Sequence, residues 1–159
     1  MHMKLKWKPL ALGGIIAALY VALVWAILPL ASGAVQIRFA EALAVMPVFT
    51  PAGIPGVAIG CFLANLLTGA VPMDVIFGTL ATLIGAVGTR LLRGHRFLSL
   101  LPPILANVII LPFVFRYAYG MEGSLWYFAL TVGIGEIISV GILGSLLRLA
   151  LEPRKNLFE

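Results

Sequence analysis

Twenty-two consecutive residues, Pro9 to Leu30, pass without a charged side chain. A helix needs about 20 apolar residues to cross a bilayer core about 30 Å thick. Lys4, Lys6 and Lys8 before the run and Ala31-Ser32-Gly33-Ala34 after it imitate a secretory signal peptide, but such peptides have apolar cores of only about 7–15 residues, so a retained first helix is expected. After this segment, at about 9–30, further apolar segments lie at about 36–50, 55–72, 74–92, 100–118 and 125–150. The chain has 159 residues, 62% of them hydrophobic and 11% charged, where soluble domains carry about 25% charged residues. The expected fold is therefore all-α: one membrane domain over residues 1–159, an integral bundle of six transmembrane helices in the lipid bilayer.

The segment from Gln36 to Thr50 is the anomaly, being short, charged at Arg38 and Glu41, and ending among Pro47, Pro51 and Pro55. It reads as a short helix with an extended tail or as a re-entrant piece. Positive charge discriminates, because Lys and Arg collect in short cytoplasmic loops. With six crossings and cytoplasmic N- and C-termini, Lys4, Lys6, Lys8, Arg90, Arg93, Arg96, Arg148, Arg154 and Lys155 all fall inside, nine of the eleven basic residues. Without a crossing at the second segment, the last two clusters would move outside. The formal net charge of +5 is thus a mark of topology, and no nucleic-acid partner is implied.

Small residues recur every fourth position: Gly14, Ala18, Ala22 and Ala26; Gly56, Gly60, Ala64 and Thr68; Gly78, Thr82 and Ala86. In lipid such rows let helix backbones approach closely. They serve packing within the bundle or, for the first helix, docking of a separate membrane partner.

Polar groups at membrane depth cost several kcal/mol unless they face a cavity or a partner, so they mark candidate sites. Glu136 lies ten residues beyond Trp126, about 15 Å along a helix, with no basic neighbour in sequence. Arg38 and Glu41, three residues apart, share a helix face and either neutralise each other or serve a ligand. Asn65 and Asn107 suit interhelical hydrogen bonds or ligand contacts. Trp126 and Tyr127 suit an interfacial belt or a stacking surface. Asp74 and Glu122 fall beside proposed outer loops, where a solvated acid needs no special role. The lone Cys61 is expected to be buried packing. The chain contains no Gly-x-x-x-x-Gly-Lys-Ser/Thr phosphate loop, no His-Glu-x-x-His zinc motif and no Gly-x-Ser-x-Gly elbow, so nucleophilic and metal-dependent catalysis have no visible machinery, and neither an enzyme nor a cofactor is expected, although a carboxylate cluster alone can support acid/base chemistry.

Val35-Gln-Ile-Arg-Phe-Ala-Glu-Ala-Leu43, Phe49-Thr-Pro-Ala-Gly-Ile-Pro-Gly56 and Gly60-Cys-Phe-Leu-Ala-Asn-Leu-Leu-Thr-Gly69 together resemble the QueT family. Asp74-Val-Ile-Phe-Gly-Thr-Leu-Ala-Thr82, Leu101-Pro-Pro-Ile-Leu-Ala-Asn107 and Val132-Gly-Ile-Gly-Glu136 extend the resemblance to the sixth segment. It implies the substrate-binding subunit of an energy-coupling factor transporter in a bacterial cell membrane, carrying a queuosine precursor of the 7-deazaguanine type. The implied partners are a transmembrane scaffold, docked through an Ala-x-x-x-Ala pattern that Ala18 and Ala22 match, and two cytoplasmic ATPase subunits. A guanine-like edge presents two adjacent N–H donors beside a carbonyl acceptor. On this reading Glu136 or Glu41 takes the donors, Asn107, Asn65 or Arg38 meets the acceptor, and Trp126 or Tyr127 stacks on the ring. The alternatives are a subunit of the same kind for another flat vitamin-like ligand, or a structural or assembly membrane protein whose buried charges merely pair.

Overall fold

The computed structural model describes residues 7–30 and 36–159. Lys4, Lys6, Val35 and the Ala31-Ser32-Gly33-Ala34 stretch lie outside the described residues. Among those described, every regular element is helical: α1 (Trp7–Ile27), a 3₁₀ helix (Phe39–Val48), α2 (Gly53–Leu67), α3 (Pro72–Leu91), α4 (Leu98–Ala118) and α5 (Leu125–Leu157). Four of them, α1, α3, α4 and α5, are long and apolar enough to cross a membrane. The other two are shorter, at 10 and 15 residues.

The second segment departs from expectation in form. Arg38 is extended (φ −103°, ψ 94°), and the following ten residues coil as a 3₁₀ helix. A 3₁₀ helix rises about 2.0 Å per residue against about 1.5 Å for an α-helix, so ten residues reach about 20 Å rather than about 15 Å. That extra reach lets a short segment run most of the bundle's length. It forms the centre of the molecule, with Ala40, Glu41, Leu43, Ala44, Val45, Met46 and Pro47 all buried. Neighbours make room for it: a Cβ on Gly53 would fall 2.6 Å from the Pro47 nitrogen, and one on Gly135 would collide with the Gln36 carbonyl. Ser139 accepts a hydrogen bond from the Arg38 backbone N–H at 3.1 Å, which secures its start.

The chain reverses between two ends. At one end Lys8 donates to the Glu159 carbonyl, the Phe49 and Phe158 rings lie 5.5 Å apart, and Arg90 donates to the carbonyls of Pro47 (3.1 Å) and Val48 (3.2 Å). Buried Arg148 ties the loop before α4 to the same end, donating to Arg93 (3.1 Å), Arg96 (3.2 Å) and the Ser99 hydroxyl (2.8 Å). At the opposite end Tyr119 donates to Asp74 at 2.7 Å and Arg116 to the Gly123 carbonyl at 2.8 Å. Each helical segment therefore runs from one end to the other and is followed by one running back, with Lys8, Arg90 and Arg148 at the first end and Arg116 at the opposite one.

Candidate functional site

At the end away from the basic cluster lies a cavity of about 350 Å³. One wall is the C-terminal half of α1, where Leu23, Val24 and Ile27 present apolar surface. The others are residues 36–40, the end of α2 with Asn65 and Thr68, the start of α3 with Asp74, and Tyr119 just beyond α4. This volume falls in the range of about 300–1,000 Å³ used by small-molecule sites.

Arg38 reaches the cavity because the chain is extended at that point, and its guanidinium donates to the Gln36 side chain at 3.4 Å. No carboxylate pairs with it: among the described residues, ion pairs within 4.0 Å join only Arg96 and Arg148 to Glu152. Of the two readings of Arg38 and Glu41, the close ion pair is not formed. One turn of 3₁₀ helix separates them, and Glu41 instead accepts from the Tyr20 hydroxyl at 2.6 Å, fully inside the bundle.

Asp74 corrects the view of a solvated loop acid. Its side chain is 4% exposed and lines the cavity. It stands in the first turn of α3, where the positive end of the helix dipole favours a carboxylate. Tyr119, 45 positions later, donates its hydroxyl to one carboxylate oxygen, while the other is buried with no hydrogen-bond partner among the described residues. Burial and the Asp74 carboxylate push the Tyr119 phenol up to about 12, so it stays a proton donor over the physiological range. Asn65 touches the same corner, its amide 3.4 Å from the Asp74 backbone carbonyl and 3.7 Å from the Cys61 sulfur. Cys61 is buried.

Glu136 and Asn107 are both buried and face each other at the centre of the bundle, away from the larger cavity's lining. A crevice of about 10 Å³ beside Glu136 is also lined by Gln36, Arg38 and Thr131. It is too small for more than one water. Arg38 and Gln36 border both hollows and form the partition between them. Trp126 is 86% exposed and Tyr127 about half exposed, and neither lines the larger cavity; Glu122 is exposed as well.

Of the residues singled out by sequence, the structure thus brings Arg38 and Asn65 to the larger cavity and leaves Glu41, Asn107 and Glu136 in the interior around it. Sequence reasoning missed Gln36, Tyr20, Asp74 and Tyr119. Each carries its meaning only through a partner remote in sequence, apart from Gln36 beside Arg38. Two stretches of π-helix adjoin these residues, Val114–Ala118 immediately before Tyr119 and Ile137–Gly144 immediately after Glu136. Such widened turns are frequent at functional sites, where they re-aim side chains. The resulting chamber has one apolar wall and offers both donors and acceptors. Among the described residues, no group of His, Cys, Asp and Glu is placed to hold a metal ion.

The sequence profile of the QueT transporter family matches residues 10–153. No curated protein and no solved structure matches the chain.

Proposed function

The chain belongs to the QueT transporter family, whose members are transporter components rather than enzymes, and from that premise we propose that it captures a 7-deazaguanine-type base from outside the cell as the substrate-binding subunit of an energy-coupling factor importer. The observation that carries this reading is the cavity of about 350 Å³ holding Arg38, Asn65 and Asp74 with no ion pair among them. A structural protein whose buried charges merely pair would have closed Arg38 onto a carboxylate, since an unpaired charge at membrane depth costs several kcal/mol.

The topology supports capture from outside. Six alternating segments make six crossings, the two short ones being completed by their flanking turns. By the rule that basic loops stay inside, the end carrying Arg90, Arg93, Arg96, Arg148, Arg154 and Lys155 is cytoplasmic, which leaves the cavity at the outer face. Ala18 and Ala22 are exposed on α1, as a docking face for a scaffold subunit requires. The scaffold and two ATPases in the cytoplasm would supply the energy for which this chain has no phosphate loop.

Titrating the purified protein with 7-cyano- and 7-aminomethyl-7-deazaguanine, with guanine and riboflavin as controls, tests the proposal. A deazaguanine should bind at least about tenfold more tightly than riboflavin, a difference of about 1.4 kcal/mol. Absence of saturable binding by either deazaguanine would sink it.

A further inference from the structure

We infer that Asp74 is the carboxylate that reads the ligand's donor edge, with Tyr119 holding it in position. The inference rests on the proposed function above and adds the residue that sets specificity. Three buried carboxylates surround the site, Glu41, Asp74 and Glu136, and their surroundings separate them. Glu41 is engaged by Tyr20 and has no surface in the cavity. Glu136 has an oxygen without a partner, but the hollow beside it holds only about 10 Å³, too little for a ring. Asp74 alone combines a place in the large cavity with a buried oxygen that lacks any donor among the described residues.

A first-turn acid that merely favours the helix dipole gains nothing from being buried and loses its hydration. At 4% exposure, with one oxygen satisfied by Tyr119 at 2.7 Å, Asp74 is held at that oxygen and left half-complete. What completes it is a pair of adjacent N–H donors: one meets a remaining lone pair of the Tyr119-bound oxygen, and the other meets the vacant oxygen once the carboxylate turns it from the Gly78 side, where it is packed out of reach, toward the cavity. The ring-NH and exocyclic amine of a guanine-type edge have that spacing. Arg38 and Asn65 line the same chamber and supply donors to the neighbouring ring carbonyl. Ligands without the exocyclic amine forgo that hydrogen bond and bind more weakly, because the Asp74 oxygen, already buried in the free protein, gains no donor from them.

The test pairs a change in the protein with a change in the ligand. Binding of 7-aminomethyl-7-deazaguanine and of its analogue lacking the 2-amino group is measured calorimetrically on purified wild type, Asp74→Asn, Tyr119→Phe and Glu136→Gln. Wild type should prefer the amino-bearing ligand about tenfold to a hundredfold, the size expected for one hydrogen bond to a charged group. In Asp74→Asn that preference should collapse, while Tyr119→Phe weakens both ligands and Glu136→Gln keeps the preference. Full discrimination in Asp74→Asn, or its loss only in Glu136→Gln, overturns the assignment to Asp74 while capture of the base stands. An equal loss of both ligands in Asp74→Asn, with a lowered unfolding temperature, also overturns it by showing a structural role. Failure of wild type to bind either ligand removes the assignment together with the function it serves.

Discussion

Two rows of small residues share one spacing and meet opposite fates. In α2, Gly56, Gly60 and Ala64 are sunk against α1: a Cβ on Gly56 would fall 2.9 Å from the Ile16 Cβ, one on Gly60 2.6 Å from the Tyr20 Cβ, and Ala64 is completely buried. In α1, Gly14, Ala18, Ala22 and Ala26 are exposed, and a Cβ on Gly14 would meet nothing within 4 Å. At 3.6 residues per turn this bare row lies opposite Ile16, Ala17 and Tyr20, the three buried residues of α1. The four-residue spacing shows only that a backbone can be approached. Whether a helix of the same chain uses that access depends on the path of the rest of the chain.

The filled row also positions the site, because Gly60 seats Tyr20 and Tyr20 in turn holds Glu41 at 2.6 Å. The largest effect is therefore expected from Gly60→Leu. Filling that contact should destabilise the purified protein by about 3 kcal/mol, the upper range for overpacking, and release Glu41 from Tyr20. Thermal unfolding in detergent measures it, and a melting point equal to wild type would show that α1 and α2 do not meet as described.

The same contrast explains what could be read from sequence. Segment positions were legible because length and apolarity are local: α3, α4 and α5 begin within a few residues of the expected 74, 100 and 125. The 3₁₀ form of Phe39–Val48 was not, since it depends on Gly53, Gly135 and Ser139 making room for or bonding to its ends. Nor was the role of Asp74, which looks like any first-turn acid until the Tyr119 hydroxyl is seen beside it. Trp126 shows the converse: an aromatic residue at the mouth of a helix suits an interfacial belt or a stacking surface alike, its direction is a tertiary property, and here it is 86% exposed. Exposure also separates the two rows.

A middle-sized effect belongs to the bare row. Ala22→Leu adds bulk where the isolated chain has space, so its unfolding free energy should change by no more than about 0.5 kcal/mol and its ligand affinity not at all. On the proposed function, assembly with a scaffold subunit should fall about tenfold, or about 1.4 kcal/mol, as the backbones are forced apart. Quantitative co-purification from membranes reads this, and undiminished assembly would leave the bare row without a partner.

The smallest effect sharpens the comparison most, because its sign should change with context. Glycine inside a helix is less favourable than alanine by roughly 0.5–1 kcal/mol, chiefly through backbone entropy. At Gly14 the added methyl meets open space, so Gly14→Ala should stabilise the isolated subunit by up to that amount. The same methyl placed between two closely packed helices removes the contact that a glycine permits, so the variant should assemble with the scaffold slightly less well than wild type. Melting measured for the subunit alone and for the assembled complex tests both halves. A gain in both settings would place Gly14 at lipid and confine the docking face to Ala18, Ala22 and Ala26; a loss in the isolated subunit would mean that α1 packs on this face within the chain itself, and the distinction between the two rows would disappear.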